Sequence, residues 1–263
     1  MKTPLRVGTV PYLVGRPMDL GLEDEDGIEL RYEVPSRLVE QLRTGEIDVA
    51  LVSSIELFRR PEYSYIAGIG VAGRGVVSSV QLFLRKAIEE VRHVALDPSS
   101  RTARTLARIL LADGPAPSFE EVEGGTDPRE LPCDAWLRIG DPALRECHGE
   151  GLAHWNPSEQ WTLQTGLPFV FAPWIVAPGV NLDAHLPAFE RAADQGLAAA
   201  LDLARQAARE WDLPEEVCEQ YLTRECLYRL PAGEMEQALW TFRNRAAALD
   251  LCDPALAPRA IAL

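Results

Sequence analysis

The sequence has no apolar run that approaches the roughly 20 residues needed to cross a bilayer. It is also poor in positive charge, because 26 Lys and Arg residues stand against 40 Asp and Glu residues and give a formal net charge of −14. Nucleic acids and anionic membranes both require a basic surface, so neither is expected as a partner. The chain of 263 residues is 47% hydrophobic and can build one large domain or two small ones.

Cysteine usage points to a reducing compartment. The five cysteines are an odd number without paired short spacing, so the sequence predicts neither a disulfide scaffold nor a zinc site. Residues 1–16 contain two early cations but no uninterrupted apolar core and no small-residue cleavage pattern. We therefore expect no signal peptide and a cytoplasmic location.

Familiar catalytic signatures are missing too. The sequence contains no G-x-S-x-G elbow, no P-loop and no H-E-x-x-H motif. Its four histidines, His93, His148, His154 and His185, are scattered along the chain. Redox and metal chemistry have no visible support, so neither a cofactor nor a metal is expected.

Strand and helix patterns alternate along the first part of the chain. Strands are predicted over residues 5–10, 28–34, 47–52, 65–69 and 76–84, and helices over residues 36–43 and 53–60. A second unit begins near residue 91, with a loop over residues 114–132, a strand over 134–139 and an uncharged strand pair or crossing strand over 166–178. Helices are predicted over residues 155–164, 186–211, 214–222 and 233–249, and the tail beyond them is expected to be loose or a packing strap.

This order predicts an α/β protein with two lobes and a ligand cleft between them. Residues 1–90 and 180–263 are assigned to lobe 1, and residues 91–179 to lobe 2. Hinge closure is the motion expected of such a protein.

Residues 96–111 read as the end of a strand, a turn and a helix. Ser99 and Ser100 are candidate N-caps, and a helix that begins there presents free N–H groups and a positive dipole end. With Arg101 and Thr102 alongside, the predicted guest is a carboxylate or phosphate. An ordinary capped helix with a solvated Arg101 is the alternative.

The other polar residues of the predicted cleft are small. The full set is Ser53, Ser54, Ser78, Ser79, Ser100, Arg101, Thr102, Asp141 and Thr165. Such a site binds an anion through hydrogen bonds, and it could catalyse only by orienting a reactive substrate.

Five segments resemble the MqnA family, the chorismate dehydratases of the futalosine route to menaquinone. They are G-E-I-D-V-A-L-V (residues 45–52), V-x-S-x-V-x-L-F (76–83), D-x-S-S-R-T-x-x-x-L-A-x-I-L-L (97–111), D-A-x-L-x-I-G-D-x-A-L (134–144) and T-G-L-P-F-V-F-A-x-W (165–174). The resemblance implies a type II periplasmic-binding-protein-like clamshell and a cofactor-free elimination of water from chorismate, giving 3-[(1-carboxyvinyl)oxy]benzoate. It also implies that the enolpyruvyl carboxylate of the substrate takes the ring proton while the enzyme holds the conformer.

The resemblance also suggests roles for individual residues. Ser100, Arg101 and Thr102 would hold a carboxylate, and Ser78 would face it from the other lobe. Ser54, Gly166 and Leu167 would line the cleft.

One departure from the family lies in the first loop. The family reads Tyr-Leu-Asn where this chain has Tyr12, Leu13 and Val14, and Val14 can neither donate nor accept a hydrogen bond. An unpaired polar group on the substrate would cost on the order of 1–3 kcal/mol. Arg16 either compensates by supplying charge or faces solvent.

Two functions from different classes follow. The first is a chorismate dehydratase that acts on a small-molecule substrate as a monomer or weak homodimer. The second is a non-catalytic or altered-specificity binding protein for a small cyclic carboxylate on the same scaffold. A related enzyme that acts on another cyclic carboxylate is a third possibility.

Overall fold

Two β-sheets, each covered by helices, form the framework of the protein. The computed structural model describes residues 3–112, 114, 116–123, 125–149 and 151–263. The first sheet contains β1 Leu5–Thr9, β2 Ile28–Tyr32, β3 Val49–Leu51, β4 Ser64–Gly73, β10 Phe169–Val176, β11 Cys226–Arg229 and β12 Arg259–Ile261. Its order is β11-β4-β10-β3-β1-β2, and β12 pairs with β4. The strands β1, β2 and β3 run parallel, as their alternation with helices predicts, whereas β10 is antiparallel to β3 and β4.

The second sheet is smaller. It contains β5 Val80–Leu84, β6 His93–Leu96, β7 Ser118–Glu121, β8 Ala135–Ile139 and β9 His154–Trp155, in the order β7-β6-β8-β5-β9. The strands β6, β7 and β8 are parallel, and β5 is antiparallel to its two neighbours. We refer to the first sheet with its helices as the first lobe and to the second sheet with its helices as the second lobe.

The helices fill the connections between the strands. They are α1 Arg16–Asp19, α2 Pro35–Thr44, α3 Arg101–Leu110, α4 Gly140–Gly149, α5 Pro157–Thr165, α6 Leu186–Ala198, α7 Ala200–Trp211, α8 Glu215–Gln220 and α9 Ala232–Ala247. Short 3₁₀ turns occur at Leu13–Gly15, Leu22–Asp24, Ser54–Phe58, Ile88–Glu90 and Pro128–Glu130, and a π-helical turn at Tyr221–Glu225. Within the part of the chain that the structure describes, no helix is long and apolar enough to cross a membrane.

The points at which the chain passes from one sheet to the other differ from the predicted lobe boundaries. Strand β5 belongs to the second sheet although residues 80–84 were assigned to lobe 1, and β10 belongs to the first although residues 169–176 were assigned to lobe 2. The uncharged sequence of β10 reflects its position between β3 and β4, where both faces are covered.

The side chain of Asn156 joins the two segments through which the chain crosses between the sheets. Its Nδ2 donates to the carbonyl oxygens of Val77 at 3.0 Å and Val80 at 3.3 Å, and its Oδ1 accepts from the Glu159 N–H at 2.9 Å. Both crossings are therefore fixed to each other by one buried amide.

Several predicted elements need correction. The predicted loop over residues 114–132 contains β7, an edge strand whose S-F-E-E sequence has one apolar residue, Phe119, too few for an alternating pattern. Pro115 and Gly124 of this loop lie outside the described residues. The helix predicted over residues 53–60 is only the 3₁₀ turn Ser54–Phe58, and the one over 186–211 is divided at Ala199. Strand β11 was not predicted, while the tail is a strap, since β12 pairs with β4.

A Gly-x-Gly-x-x-Gly spacing occurs at residues 68–73, entirely within β4. A dinucleotide-binding fingerprint requires this spacing at a turn from a strand into a helix, so the glycines have another reason to be there. A Cβ at Gly70 would lie 2.9 Å from the carbonyl oxygen of Ala172, and one at Gly73 would lie 2.2 Å from the side chain of Val77. These two glycines therefore allow β4 to lie close to the backbone of β10 and to the side chain of Val77.

Candidate functional site

A cavity of about 620 Å³, part of it open to solvent, lies between the two lobes. Most of its wall is apolar, with contributions from Val10, Val14, Pro35, Leu51, Val52, Val71, Val77, Val80, Ile139, Phe171 and Ala172. Its polar side chains are the hydroxyls of Tyr12, Ser53, Ser79 and Ser100. Among the described residues that line it, none carries a carboxylate, an imidazole or a basic group.

The first loop reaches across the cavity to the second lobe. The ring of Tyr12 packs on Gly140, where an added Cβ would lie 3.3 Å from the ring and where φ is +69°. Burial, assisted by the negative charge of Asp97, raises the pKa of Tyr12, so its hydroxyl stays protonated and can donate. Val14 lines the cavity at the position that the sequence predicted for the family Asn.

Asp141 holds this loop from the other side. The N–H of Leu13 donates to Asp141 Oδ1 at 3.2 Å, and the carboxylate is buried at the start of α4. Burial raises the pKa of Asp141 to about 6. Asp141 does not itself line the cavity, although its neighbour Gly140 does. Asp141 therefore links the two lobes.

Ser79 takes the position in the cavity that was predicted for Ser78. The N–H and Oγ of Ser78 donate to the two carboxylate oxygens of Glu225, at 2.7 Å and 3.0 Å. Ser79 lines the cavity instead, and its Oγ accepts from the buried Tyr221 hydroxyl at 2.6 Å. Ser78 and Ser79 are the central residues of a turn that the Val80 N–H closes on the Val77 carbonyl oxygen at 3.1 Å, and their side chains leave this turn in different directions.

The same offset of one residue separates Ser54 from Ser53. Ser54 Oγ donates to the carbonyl oxygen of Val170 at 2.7 Å, and only Ser53 lines the cavity. The side chain of Thr102 is also outside the lining: its Oγ1 accepts from the Ile55 N–H at 3.2 Å and it is fully buried. Thr102 therefore joins α3 to the first lobe, so its predicted contact with a carboxylate finds no support.

Ser100 caps α3, as predicted, and lines the cavity. Its Oγ accepts from the Ala103 N–H at 3.2 Å. The N–H of Thr102, in the first turn of the helix, donates to Ser53 Oγ at 3.4 Å. Much of the predicted anion site at this helix end is thus occupied by the protein's own hydroxyls.

Arg101 is engaged elsewhere and is not among the residues that line the cavity. Its guanidinium pairs with Glu40 at 2.7 Å and with Glu56 at 3.3 Å. The side chain of Glu56 is fully buried, and a buried carboxylate requires charged partners, which Arg43 at 2.6 Å also supplies. The prediction that Arg101 holds a ligand carboxylate therefore finds no support in this arrangement.

Arg16 faces away from the cavity as well. It pairs with Glu210 at 2.5 Å and stacks over the Trp211 ring at 5.0 Å, both at the end of α7. Of the two alternatives for Arg16, compensation for Val14 thus finds no support.

Gly166 and Leu167 do not line the cavity either. Gly166 ends α5 with φ +71°, and its carbonyl oxygen accepts from Arg74 at 2.8 Å. The Leu167 N–H donates to Thr165 Oγ1 at 3.1 Å, which closes the same turn. The lining comes from the strand that follows, at Phe171 and Ala172.

The three cavity serines share one feature that the sequence did not reveal. Each oxygen accepts a hydrogen bond from the protein: Ser53 from the Thr102 N–H, Ser79 from the Tyr221 hydroxyl and Ser100 from the Ala103 N–H. Among the described residues, none of these hydroxyls donates to a protein acceptor. The cavity therefore presents three O–H donors in an apolar wall, which suits the oxygen atoms of an anion.

Solved structures define the class of the fold. The chain is similar to protein AF1704 from Archaeoglobus fulgidus, with TM-score 0.74, 18% identity and coverage of 95% of this chain and 99% of that chain. It is also similar to the alkanesulfonate-binding protein SsuA from Xanthomonas axonopodis pv. citri, with TM-score 0.72, 15% identity and coverage of 100% and 99%. The predicted two-lobed periplasmic-binding-protein-like fold is confirmed.

Sequence comparison then gives the family. A family model described as menaquinone biosynthesis matches residues 5–248, and the chain belongs to that family. The chorismate dehydratase of Thermus thermophilus is 28% identical over 237 residues, which cover 81% of this chain and 87% of that protein. The chorismate dehydratase of Campylobacter jejuni is 30% identical over 161 residues, 61% of this chain and 58% of that one.

Proposed function

We propose that this protein is a chorismate dehydratase of menaquinone biosynthesis by the futalosine route. The reaction eliminates water from chorismate and gives 3-[(1-carboxyvinyl)oxy]benzoate. The observation that carries the proposal is the set of three donor hydroxyls in an apolar cavity without an acid–base side chain among its described lining residues. The names of the two relatives agree with it.

The lining suits a reaction in which the substrate supplies its own base. The enolpyruvyl carboxylate takes the ring proton, the electron pair of that C–H bond forms the new ring double bond, and the ring C–O bond breaks so that the hydroxyl leaves as water with the proton that the carboxylate took up. Aromatisation drives the step, so the enzyme's task is to hold the reactive conformer. No side chain of the protein then needs to change its protonation state.

The serine hydroxyls would supply the orientation. Ser53 follows β3 of the first lobe and Ser100 caps α3 of the second lobe, so a carboxylate bound to both would be fixed relative to both lobes. The bond from Tyr221 polarises the Ser79 hydroxyl and makes it a stronger donor. The Tyr12 hydroxyl provides a fourth donor, and the valines around it exclude water from the reacting ring.

Val14 favours a second candidate, a non-catalytic or altered-specificity protein that binds a small cyclic carboxylate. Val14 lines the cavity without any hydrogen-bonding group, and Arg16 pairs with Glu210 instead of replacing one. Binding is retained in this alternative, because the serine donors do not depend on residue 14.

Incubation of the purified protein with chorismate separates the two candidates. Formation of the enolpyruvyl benzoate, followed by chromatography and mass spectrometry, is expected for the dehydratase. Saturable binding of chorismate without product would overturn it in favour of the binding protein. The proposal also includes a cytoplasmic protein that works without a cofactor as a monomer or weak homodimer.

A further inference from the structure

Four arginines converge on a second cleft, on the outer side of α3. The cleft has a volume of about 700 Å³, which includes open solvent. It is lined by Arg59, Arg101, Arg104 and Arg108, together with Thr105, Glu121 and Leu251. This cleft shares no lining residue with the cavity between the lobes. Its concentration of positive charge is notable because the whole chain carries a formal charge of −14.

Acidic partners do not balance these arginines. Glu121 pairs with Arg104 at 2.6 Å and with Arg108 at 3.2 Å, so one carboxylate serves two guanidinium groups. On the other side Glu40 and Glu56 serve Arg43, Arg59 and Arg101. The four guanidinium groups of the cleft and the adjacent Arg43 therefore share three carboxylates, and this cluster keeps an excess of two positive charges.

The arginines also retain hydrogen-bonding capacity. A guanidinium group has five N–H donors in a planar fork. Among the described residues, the guanidinium of Arg104 donates only from Nη1 and that of Arg108 only from Nη2, both to Glu121, and the buried Nε of Arg104 has no partner. The bond from Arg59 Nη2 to Thr105 Oγ1 is long, at 3.5 Å, and its Nη1 is 3.7 Å from Glu56. An anion in the cleft would find donors that the protein does not use.

The charges repel one another as they stand. Burial lowers the pKa of Arg59, and the neighbouring positive charges of Arg101 and Arg104 lower it further against the opposing effect of Glu56. A bound anion would remove this repulsion, and a dianion would match the two uncompensated charges. A phosphate group carries about that charge at neutral pH, and its oxygen atoms fit arginine forks that approach from several directions.

The cleft draws its residues from both lobes. Arg59 follows the 3₁₀ turn Ser54–Phe58 and donates from Nε to the carbonyl oxygen of Leu251 at 3.1 Å, both within the first lobe. Arg101, Arg104 and Arg108 lie on α3, which follows β6 of the second lobe. We propose that this arginine cleft is a binding site for a phosphate dianion, as inorganic phosphate or as a phosphate monoester, that bridges the two lobes.

The test measures binding of inorganic phosphate to the full chain by calorimetry in a Tris chloride buffer of constant ionic strength. Saturable binding is expected, and Arg104→Gln and Arg108→Gln should each raise the Kd about tenfold, since each removes a charge-assisted donor. Arg205→Gln is the matched control, because Arg205 is exposed and pairs with Glu215 and Asp202 on α7 and α8, outside the cleft. Its Kd should stay that of the unchanged chain.

Three results would overturn the proposal: no saturable binding, equal affinity in all variants, or binding of citrate without binding of phosphate. A comparison with glycerol phosphate identifies the form of the ligand. Tighter binding of glycerol phosphate would indicate a phosphate monoester, and tighter binding of inorganic phosphate would indicate the free ion. Arg59→Gln tests the bridge from the first lobe, and its circular dichroism spectrum reports whether that variant is folded. A folded Arg59→Gln protein with unchanged Kd would refute the bridging role.

Discussion

The N–H of Leu13 donates to Asp141 Oδ1 at 3.2 Å and joins a loop of one lobe to a helix of the other, 128 residues further along the chain. The carboxylate is buried, and its pKa is raised to about 6. The unfolded chain has the ordinary value near 4. The folded state therefore binds the proton more tightly, so this group favours folding most below about pH 4, and its contribution is lost as the pH rises through 6.

Replacement of Asp141 by Asn should remove this dependence and keep the acceptor for Leu13. We expect Asp141→Asn to be more stable than the unchanged protein at pH 8, by roughly 1–3 kcal/mol, and this gap to be about half as large at pH 5. Urea unfolding at both pH values measures the gap. Only the difference between the two proteins is informative, because burial also raises the pKa of Asp19, to about 7. A gap of equal size at both pH values would contradict the assignment to Asp141.

Ser79 and Ser78 offer a matched pair of substitutions. Ser79→Ala removes a donor from the cavity, and we expect affinity for chorismate to fall by about tenfold or more. Ser78→Ala removes one bond to Glu225, which still accepts from the Ser78 N–H at 2.7 Å and from Gln220 at 3.0 Å, so affinity should stay unchanged. Titration calorimetry with both variants decides between the residues. The reverse outcome would restore Ser78 as the ligand contact.

Substitution of Val14 tests whether the family Asn contributes to the turnover of chorismate. Val14→Asn returns a hydrogen-bonding group to the cavity wall, and we expect kcat/KM for chorismate to rise by about tenfold or more. Arg16→Ala should leave kcat/KM unchanged, since Arg16 contacts Glu210 and Trp211. Steady-state kinetics measures both. An unchanged rate in Val14→Asn would mean that the family Asn has no role in this protein.

Arg101 is expected to affect stability more than ligand binding. Arg101→Ala removes a partner from the buried Glu56, which keeps Arg43, and we expect a loss of about 1–3 kcal/mol in the free energy of unfolding. Affinity for chorismate should remain within a factor of two to three of the original. Unfolding and titration experiments on the same preparation separate the two effects. Weaker binding at unchanged stability would instead support the original anion-site prediction.

Local patterns predicted what local interactions determine. The three parallel strands of the first lobe and the Ser100 cap follow from hydropathy and from a side chain that bonds three residues ahead. The partners of Arg101 lie 45 and 61 residues away, so no local signal could indicate that its charge is already used. The choice between Ser78 and Ser79 depends on the direction of a crossing segment, which a sequence does not specify.

The distribution of strands between the sheets has a consequence for synthesis of the chain. Among the described residues, the strands of the second sheet end at Trp155, whereas β4 of the first sheet pairs only with β10, β11 and β12, the last of which ends at Ile261. On the ribosome the second lobe can therefore fold first, as domains do when they emerge. Until translation passes Phe169, the apolar strand β4 has two unpaired edges, and such edges invite aggregation. The nascent first lobe thus keeps its unpaired strand edges for longer than the second lobe does.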